Sequence, residues 1–527
     1  MKRVTLRFFL SSLLASPSFS QSCPDYADYS KERHKPYSAG RFALAYQRPD
    51  PPCRTFISST VDEAIRSMSS VITDPDLYRL FENTFPNTLD TAIKWRGHAR
   101  NNPKEELAFV VTGDINAMWL RDSANQMKSY LSLLVADSSP DSLASLFRGV
   151  INLQARYILN SPYCNAFQPP EESNLEHAPT GGSTAQISPP YDTAAVFECK
   201  FELDSLASFL DISYSYFSAT NDSAFFGEHQ WVSAVQYVVN TGRSMMVPTY
   251  RDDGSVAPLP YTFQQETRRA TETLANDGIG SPAANGTGLI RSAFRPSDDS
   301  TMLPFLIPSN MMFAKCLEDA TAILDSVLDS SSSPNSNIFP LRHDMWAFTQ
   351  SLRAGIAEHG IVPVLSKSRD RDVEMVYAYE VDGFGSAILM DDANLPSLLA
   401  APLIGYLSRD DSVYQRTRAR IFSSKNPYYM RGPALNAVGG PHVGPGMAWP
   451  MASIVRILTS DDDAEMESTL RELVSSTAGL GLVHESVNSS DAQNWTRQWF
   501  SWANGLFGQM ILDLALRKPH LLDQSYQ

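Results

Sequence analysis

Asp114 and Asp122 bracket a tryptophan and an arginine in the run Thr112-Gly113-Asp114-Ile115-Asn116-Ala117-Met118-Trp119-Leu120-Arg121-Asp122-Ser123. Each carboxylate can accept hydrogen bonds from neighbouring hydroxyls. Arg121 offers a rigid fork of donors. Trp119 has a flat apolar face that suits the C–H face of a sugar ring. The same spacing also fits a helix start, with Asp114 as its cap and an ordinary surface ion pair beside it.

Two further carboxylates could move protons. Around Glu198-Cys199-Lys200-Phe201-Glu202-Leu203-Asp204-Ser205-Leu206, helical spacing puts Phe197, Phe201, Asp204 and Ala207/Ser208 on one face. Burial among such neighbours disfavours the ionised form and raises the pKa. A general acid needs that near neutral pH, and a helix-face aspartate in a structural ion pair reads the same way. Glu485 follows Gly479-Leu480-Gly481-Leu482-Val483-His484 and precedes Trp495, Trp499, Phe500 and Trp502. The glycines predict a loop. A loop carboxylate over an aromatic wall can hold and deprotonate a water; the alternative is a surface glutamate in front of a packed helix.

Adjacent aspartates recur in two more segments. Arg291-Ser292-Ala293-Phe294-Arg295-Pro296-Ser297-Asp298-Asp299 contributes Arg295, Asp298 and Asp299. Phe384-Gly385-Ser386-Ala387-Ile388-Leu389-Met390-Asp391-Asp392-Ala393-Asn394 contributes Met390, Asp391 and Asp392. Both read as pocket walls, as helix caps through Ser297 and Asp391, or as hard oxygen ligands for calcium. EF-hand spacing, CxxC and paired His/Cys spacing are all missing, so no metal is expected. His442, in Gly440-Pro441-His442-Val443-Gly444-Pro445-Gly446, could bond a hydroxyl. Nucleophile-elbow, Walker, H-E-x-x-H and dinucleotide motifs are likewise missing, and no cofactor is expected.

Helices must position these segments. Val61, Ile65, Met68 and Ile72 recur at three- and four-residue steps, as do Leu120, Met127, Tyr130 and Leu134, and later Trp499, Ala503, Leu506 and Met510. Further helices are predicted near 75–90, 142–160, 199–219, 223–240, 308–328, 341–358, 395–407, 446–459 and 462–477, and clear strands are scarce. Loops 161–195, 276–304 and 425–446 hold much of the Pro, Gly and Asn, and long loops in a compact domain are often functional. About a dozen helices joined this way suit a double ring, the (α/α)6 barrel; an irregular bundle is the alternative.

With 43% hydrophobic residues in 527, the chain can bury a large core. Its net charge of −15 repels nucleic acid and anionic membranes, so neither is an expected partner. Lys2 and Arg3, the broken apolar run Leu6–Leu14 and the small Ser18 and Ser20 read as a secretory signal over 1–20. Residues 21–55 read as an extended arm and 56–520 as one catalytic domain. Sequons at Asn221, Asn285, Asn488 and Asn494 fit a secreted glycoprotein. In an oxidising compartment Cys23 can pair with Cys53 and Cys164 with Cys199, leaving Cys316 as a buried thiol.

Taken together these segments resemble glycoside hydrolase family 125, the exo-acting α-1,6-mannosidases. The matching runs are TGDINAMWLRDS (112–123), FELDSL (201–206), FRPSDD (294–299), LIPSNMMFA (306–314), GFGSAILMDDANLPSLL (383–399), GPGMAWPM (444–451), HES (484–486) and WFSWANGLFGQMI (499–511). The arm and sequons resemble a secreted fungal branch related to meiotically up-regulated proteins. The resemblance implies an (α/α)6 barrel, a metal-independent inverting reaction and a pocket for the terminal mannose of a glycan. It implies Asp204 as general acid and Glu485 as general base. Asp114, Trp119, Arg121, Asp122, Arg295, Asp298, Asp299, Met390, Asp391, Asp392 and His442 would surround the sugar. Asn116 departs from the proline of many members, and 161–195 looks like an insertion that bears on leaving-group specificity. Two other readings remain: a calcium-dependent α-mannosidase or glucoamylase-like hydrolase on the same barrel, and a catalytically silent glycan-binding protein. The oligomeric state is not legible.

Overall fold

A computed structural model describes residues 23–180, 185–330, 338–365 and 373–527. The leader expected over 1–20 lies outside these residues. Helices dominate: α1 (Tyr26–Tyr29), α2 (Ser59–Met68), α3 (Pro75–Thr84), α4 (Leu120–Lys128), α5 (Leu143–Asn160), α6 (Leu203–Thr220), α7 (Ser223–Glu228) and α8 (Trp231–Ser244) fill the first half. α9 (Ala275–Gly278), α10 (Ile307–Ser330), α11 (Ile338–His359), α12 (Ser412–Ile421), α13 (Pro450–Leu458), α14 (Asp463–Ser475) and α15 (Ser501–Arg517) follow. Small two- and three-stranded sheets sit between them.

Local chemistry explains many boundaries. Asp74 caps α3 by accepting from the N–H groups of Asp76 and Leu77, and Pro75 opens the helix where its missing donor costs nothing. The periodic residues Val61, Ile65 and Met68 of α2 are all buried, as the spacing predicts. α6 buries Leu206, Phe209, Leu210 and Ile212 and packs on α4 and α10. Each such side chain contributes about 1.5–3 kcal/mol on burial.

Several expectations change; α4, for one, ends at Lys128, short of Tyr130 and Leu134. The helix predicted over 199–219 begins only at Leu203, and Phe197 lies in a strand. The span 223–240 is broken into α7 and α8 around His229 and Gln230. Residues 395–407 form turns, not a helix. Pro396 excludes helix at the residue before it, and the Asp391 carboxylate takes up the N–H groups of Leu398 and Leu399.

The strands carry more of the site than periodicity suggests. β1 (Ile93–Ala99) and β2 (Asn102–Val110) form a hairpin that packs on α5. β3 (Met118–Trp119), β4 (Ala166–Phe167), β5 (Gln186–Ser188), β6 (Val196–Glu198) and β7 (Thr262–Gln264) come next. β4 pairs with both β3 and β6, which places the 112–123 run beside Glu198. Cys164–Cys199 fastens the same sheet, and Cys23–Cys53 fastens the N-terminal arm. Cys316 is free and buried.

Candidate active site

Two neighbouring chambers that share wall residues lie among these segments. The inner one is small, about 90 Å³, with Trp119, Arg121, Asp122, Asn394, Trp449 and Glu485 among its walls. The other, called the outer one below, is larger, about 420 Å³, with Phe197, Lys200 and Asp299 among its walls. Asp298 and His442 line both chambers and therefore stand at their junction.

The β3–β4–β6 sheet sets the first wall. Leu120 N–H donates to the Asn165 carbonyl at 3.1 Å as α4 begins, so Arg121 and Asp122 fall on its first turn at the inner chamber. Trp119 faces the inner chamber and meets the edge of Phe197, on the outer chamber, at a centroid distance of 5.4 Å. Burial pushes the Asp122 carboxyl up to about 6, against the pull of Arg121.

Asp298 stands at the tip of a tight turn. Phe294 bridges Ser300, Arg295 N–H donates to the Asp299 carbonyl at 2.8 Å, and Asp298 N–H donates to the Arg295 carbonyl at 3.0 Å. Its φ of 69° is left-handed, a conformation that Asp tolerates better than most residues but at a cost. Such an outlier is the observation from which function is argued. The side chain is 30% exposed, and Lys200 Nζ lies 3.5 Å from its Oδ1. Burial opposes ionisation, but Lys200, Arg121 and His442 outweigh it and hold the carboxyl below the usual range. His442 Nδ1 lies 3.7 Å from Asp299 Oδ1. Burial disfavours its charge, but Asp299, Asp298 and Glu485 prevail and raise its pKa.

Glu485 sits on a loop, as its glycines predict. Asn504 of α15 clamps the preceding Val483 through both its backbone N–H and its carbonyl, each at 2.9 Å. Thr496 donates to Glu485 Oε2 at 2.8 Å, and Arg497 donates to Oε1 at 3.3 Å. Behind it His484 stacks on Trp495, and burial pushes its pKa down to about 4, so its ring is neutral.

Several expected residues stand apart from the chamber walls. Asp204 is 0% exposed and does not reach either chamber. Its Oδ2 accepts from Arg121 at 2.9 Å and its Oδ1 from Ser309 at 3.1 Å. Arg121 also binds Glu202 at 2.6 Å, and burial pushes both carboxyls up. The apolar surroundings that raise the Asp204 pKa are those of a sealed site. Asp391 caps its turn, and burial pushes its carboxyl up to about 7. Asp392 accepts from Ser297 at 2.9 Å and so holds the Asp298 turn from behind. Arg295 is buried against Glu380 at 2.6 Å, and Met390 is a core residue. Asp114 is exposed at the rim, 3.4 Å from Arg497. Asp204, Asp391, Asp392, Arg295, Met390 and Asp114 line neither chamber.

The sequence reading missed Arg497, Asn394 and Lys200. Arg497 and Lys200 carry no motif signal, because each gains meaning only from the carboxylate it meets in space. Trp449 could have been found, since it lies inside the run GPGMAWPM.

The Arg121 cluster predicts a stability effect. Arg121→Met leaves Glu202, Asp204 and Asp122 without their shared cation. Breaking a buried pair by removing one partner costs about 3–5 kcal/mol. Urea unfolding should show a loss of that size, and a shift below about 1 kcal/mol, the worth of a surface pair, would refute the role.

Carboxylates around a small polar chamber, with a larger one leading to it, are the equipment of a glycoside hydrolase. The chain belongs to glycoside hydrolase family 125, the metal-independent α-mannosidases, whose family model matches residues 74–512. It is 46% identical over 509 residues to the meiotically up-regulated gene 157 protein of Schizosaccharomyces pombe, covering 96% of this chain and 95% of that one. It is also similar in structure, with a TM-score of 0.74 and 33% identity, to a Streptococcus pneumoniae metal-independent α-mannosidase solved in a non-productive complex with α-1,6-mannobiose. That match covers 88% of this chain and all (100%) of the bacterial one. Among the described residues, no group of three or more His, Cys, Asp or Glu could hold a metal ion. Among them, too, no helix is long and apolar enough to cross a membrane.

Proposed function

We propose that this chain is an exo-acting α-mannosidase that removes a terminal α-1,6-linked mannose with inversion, on an (α/α)6 arrangement of its helices. The observation that carries the reading is the place of Asp298. A single sugar in the inner chamber, with its chain leaving through the outer one, puts the glycosidic oxygen at the junction. Asp298 is the carboxylate that lines both sides of that point. We therefore assign it the general-acid role that the family resemblance implies for Asp204. Glu485, confined to the inner chamber, is the base.

In the reaction Asp298 protonates the departing glycosidic oxygen. Glu485, steadied by Thr496 and Arg497, takes a proton from a water. The water's oxygen forms the new bond to C1 from the opposite face, and β-mannose leaves. Asp122, Trp119 and Asn394 hold the ring. Secretion is part of the same proposal: the N-terminal signal pattern, the exposed Asn221, Asn285 and Asn494 and the disulfides support it.

Incubation with α-1,6-, α-1,3- and α-1,2-mannobiose tests the assignment. Free mannose is expected chiefly from the first, unchanged by EDTA, and proton NMR should show β-mannose before mutarotation. Early α-mannose would refute inversion. Loss of activity in EDTA, restored by Ca²⁺, would favour the calcium-dependent alternative. Release of glucose from glucosides instead would favour the glucoamylase-like one.

A further inference from the structure

The outer chamber is far larger than a single leaving sugar requires if the inner one holds a whole ring, at about 420 Å³ against about 90 Å³. It falls within the range of roughly 300–1,000 Å³ that encloses ligands of drug size. We propose that it is a binding site for a reducing-side glycan chain of at least two further neutral sugars, which makes the enzyme selective for oligosaccharides over disaccharides. This rests on the α-mannosidase reading above and extends it to the part of the substrate that is not cleaved.

The walls are built for hydroxyl-rich rings. Tyr191 and Phe197 present aromatic surface, and Gln265, Arg269, Thr271 and Glu272 present donors and acceptors. Sugars need both, an apolar ring face against an aromatic and polar edges against fixed partners. Arg269 and Glu272 lie 3.7 Å apart on an exposed stretch, so each remains accessible to a ligand.

Backbone pairing, hydrogen bonds and a disulfide tie several of the chamber's walls together. The antiparallel pair β5–β7 joins the 161–195 loop to the opposite wall, with Ile187 against Phe263. Gln265 Nε2 donates to the Glu272 carbonyl at 2.8 Å, and Ser300 N–H donates to the Thr271 carbonyl at 2.7 Å. The second bond ties this wall to the turn that carries Asp298. Cys164–Cys199 fastens the floor. Walls anchored this way impose little ordering cost on binding. Thr180, Ile187, Tyr191 and Thr193 of the 161–195 loop thus belong to the leaving-group site.

The test compares α-1,6-mannobiose, -triose and -tetraose. In the wild type, kcat/KM should rise by about tenfold or more from biose to triose, the scale of one good set of polar contacts. Tyr191→Ala and Arg269→Ala should bring the triose-to-biose ratio close to one, with thermal unfolding unchanged. Glu485→Gln offers a readout without turnover: calorimetry should show tighter binding of the triose, lost in the double variants. Equal kcat/KM for biose and triose in the wild type would overturn the proposal. So would a ratio unaltered in both outer-chamber variants. Absence of mannose from every substrate would instead overturn the α-mannosidase reading itself, and tighter triose binding to Glu485→Gln would still support the chamber.

Discussion

Glu485→Gln should lower the hydrolysis of α-mannosides by about 10²–10⁴-fold, the usual worth of a general base. Glutamine keeps an acceptor for Thr496, so the loop should stay in place and stability should change little. The loss should be equally large on mannobiose and on mannosyl fluoride, because water must be activated whatever group leaves. Azide, a nucleophile that needs no deprotonation, should restore part of the rate and yield β-mannosyl azide. Activity near wild type would remove Glu485 from the reaction. Recovery giving α-mannosyl azide would make the displacement proceed with retention.

The two carboxylates proposed to move protons differ in how far sequence could reach them. The loop that carries Glu485 was legible because glycines on one side and tryptophans on the other fix its place locally, and Glu485 lines the inner chamber. Asp204 lies outside both chambers for a physical reason. Apolar neighbours at helical spacing signal burial, and burial raises a carboxyl pKa whether or not substrate can approach. The stripe was misread as well, since Phe197 belongs to β6 and α6 begins at Leu203. In the sequence Asp298 reads as one more sugar-binding aspartate; its left-handed backbone and its place between two chambers emerge only when the 294–300 turn meets β6 and the His442 loop.

The fold shows the same division. Helices with one strongly apolar face, such as α2 and α5, are visible in the sequence. The β1–β2 hairpin is not. β2 ends in the apolar run Leu107–Val110, and a short apolar run reads as helix or strand alike. The β3–β4–β6 sheet has only two or three residues per strand, below any periodic signal, yet it sets Trp119 beside Phe197. Of the adjacent aspartates, Asp391 and Asp392 stand outside both chambers. Asp391 and Asp392 satisfy backbone and hydroxyl donors inside the protein, and a pair of neighbouring acids does not reveal which way it faces.

Asp298→Asn should separate the acid from the base by leaving group. A sugar leaves poorly without a proton, so mannobiose hydrolysis should fall by about 10²–10⁴-fold. A mannosyl fluoride needs little help and should lose far less. Asp204→Asn should show no such split, because Asp204 acts through Arg121 and disturbs both substrates alike. A leaving-group split at Asp204 and none at Asp298 would return the acid role to Asp204. The pH profile adds a second readout. The acid must be protonated, so kcat/KM falls as pH rises through its pKa. Lys200, Arg121 and His442 face Asp298 as cations, Asp122 and Glu202 as acids, and the balance with burial holds its carboxyl low. The falling limb should therefore lie in the acidic range. Lys200→Met removes the nearest of these cations, raises the Asp298 pKa and should move that limb to higher pH. A limb that stays in place would show that another group, and not Asp298, donates the proton.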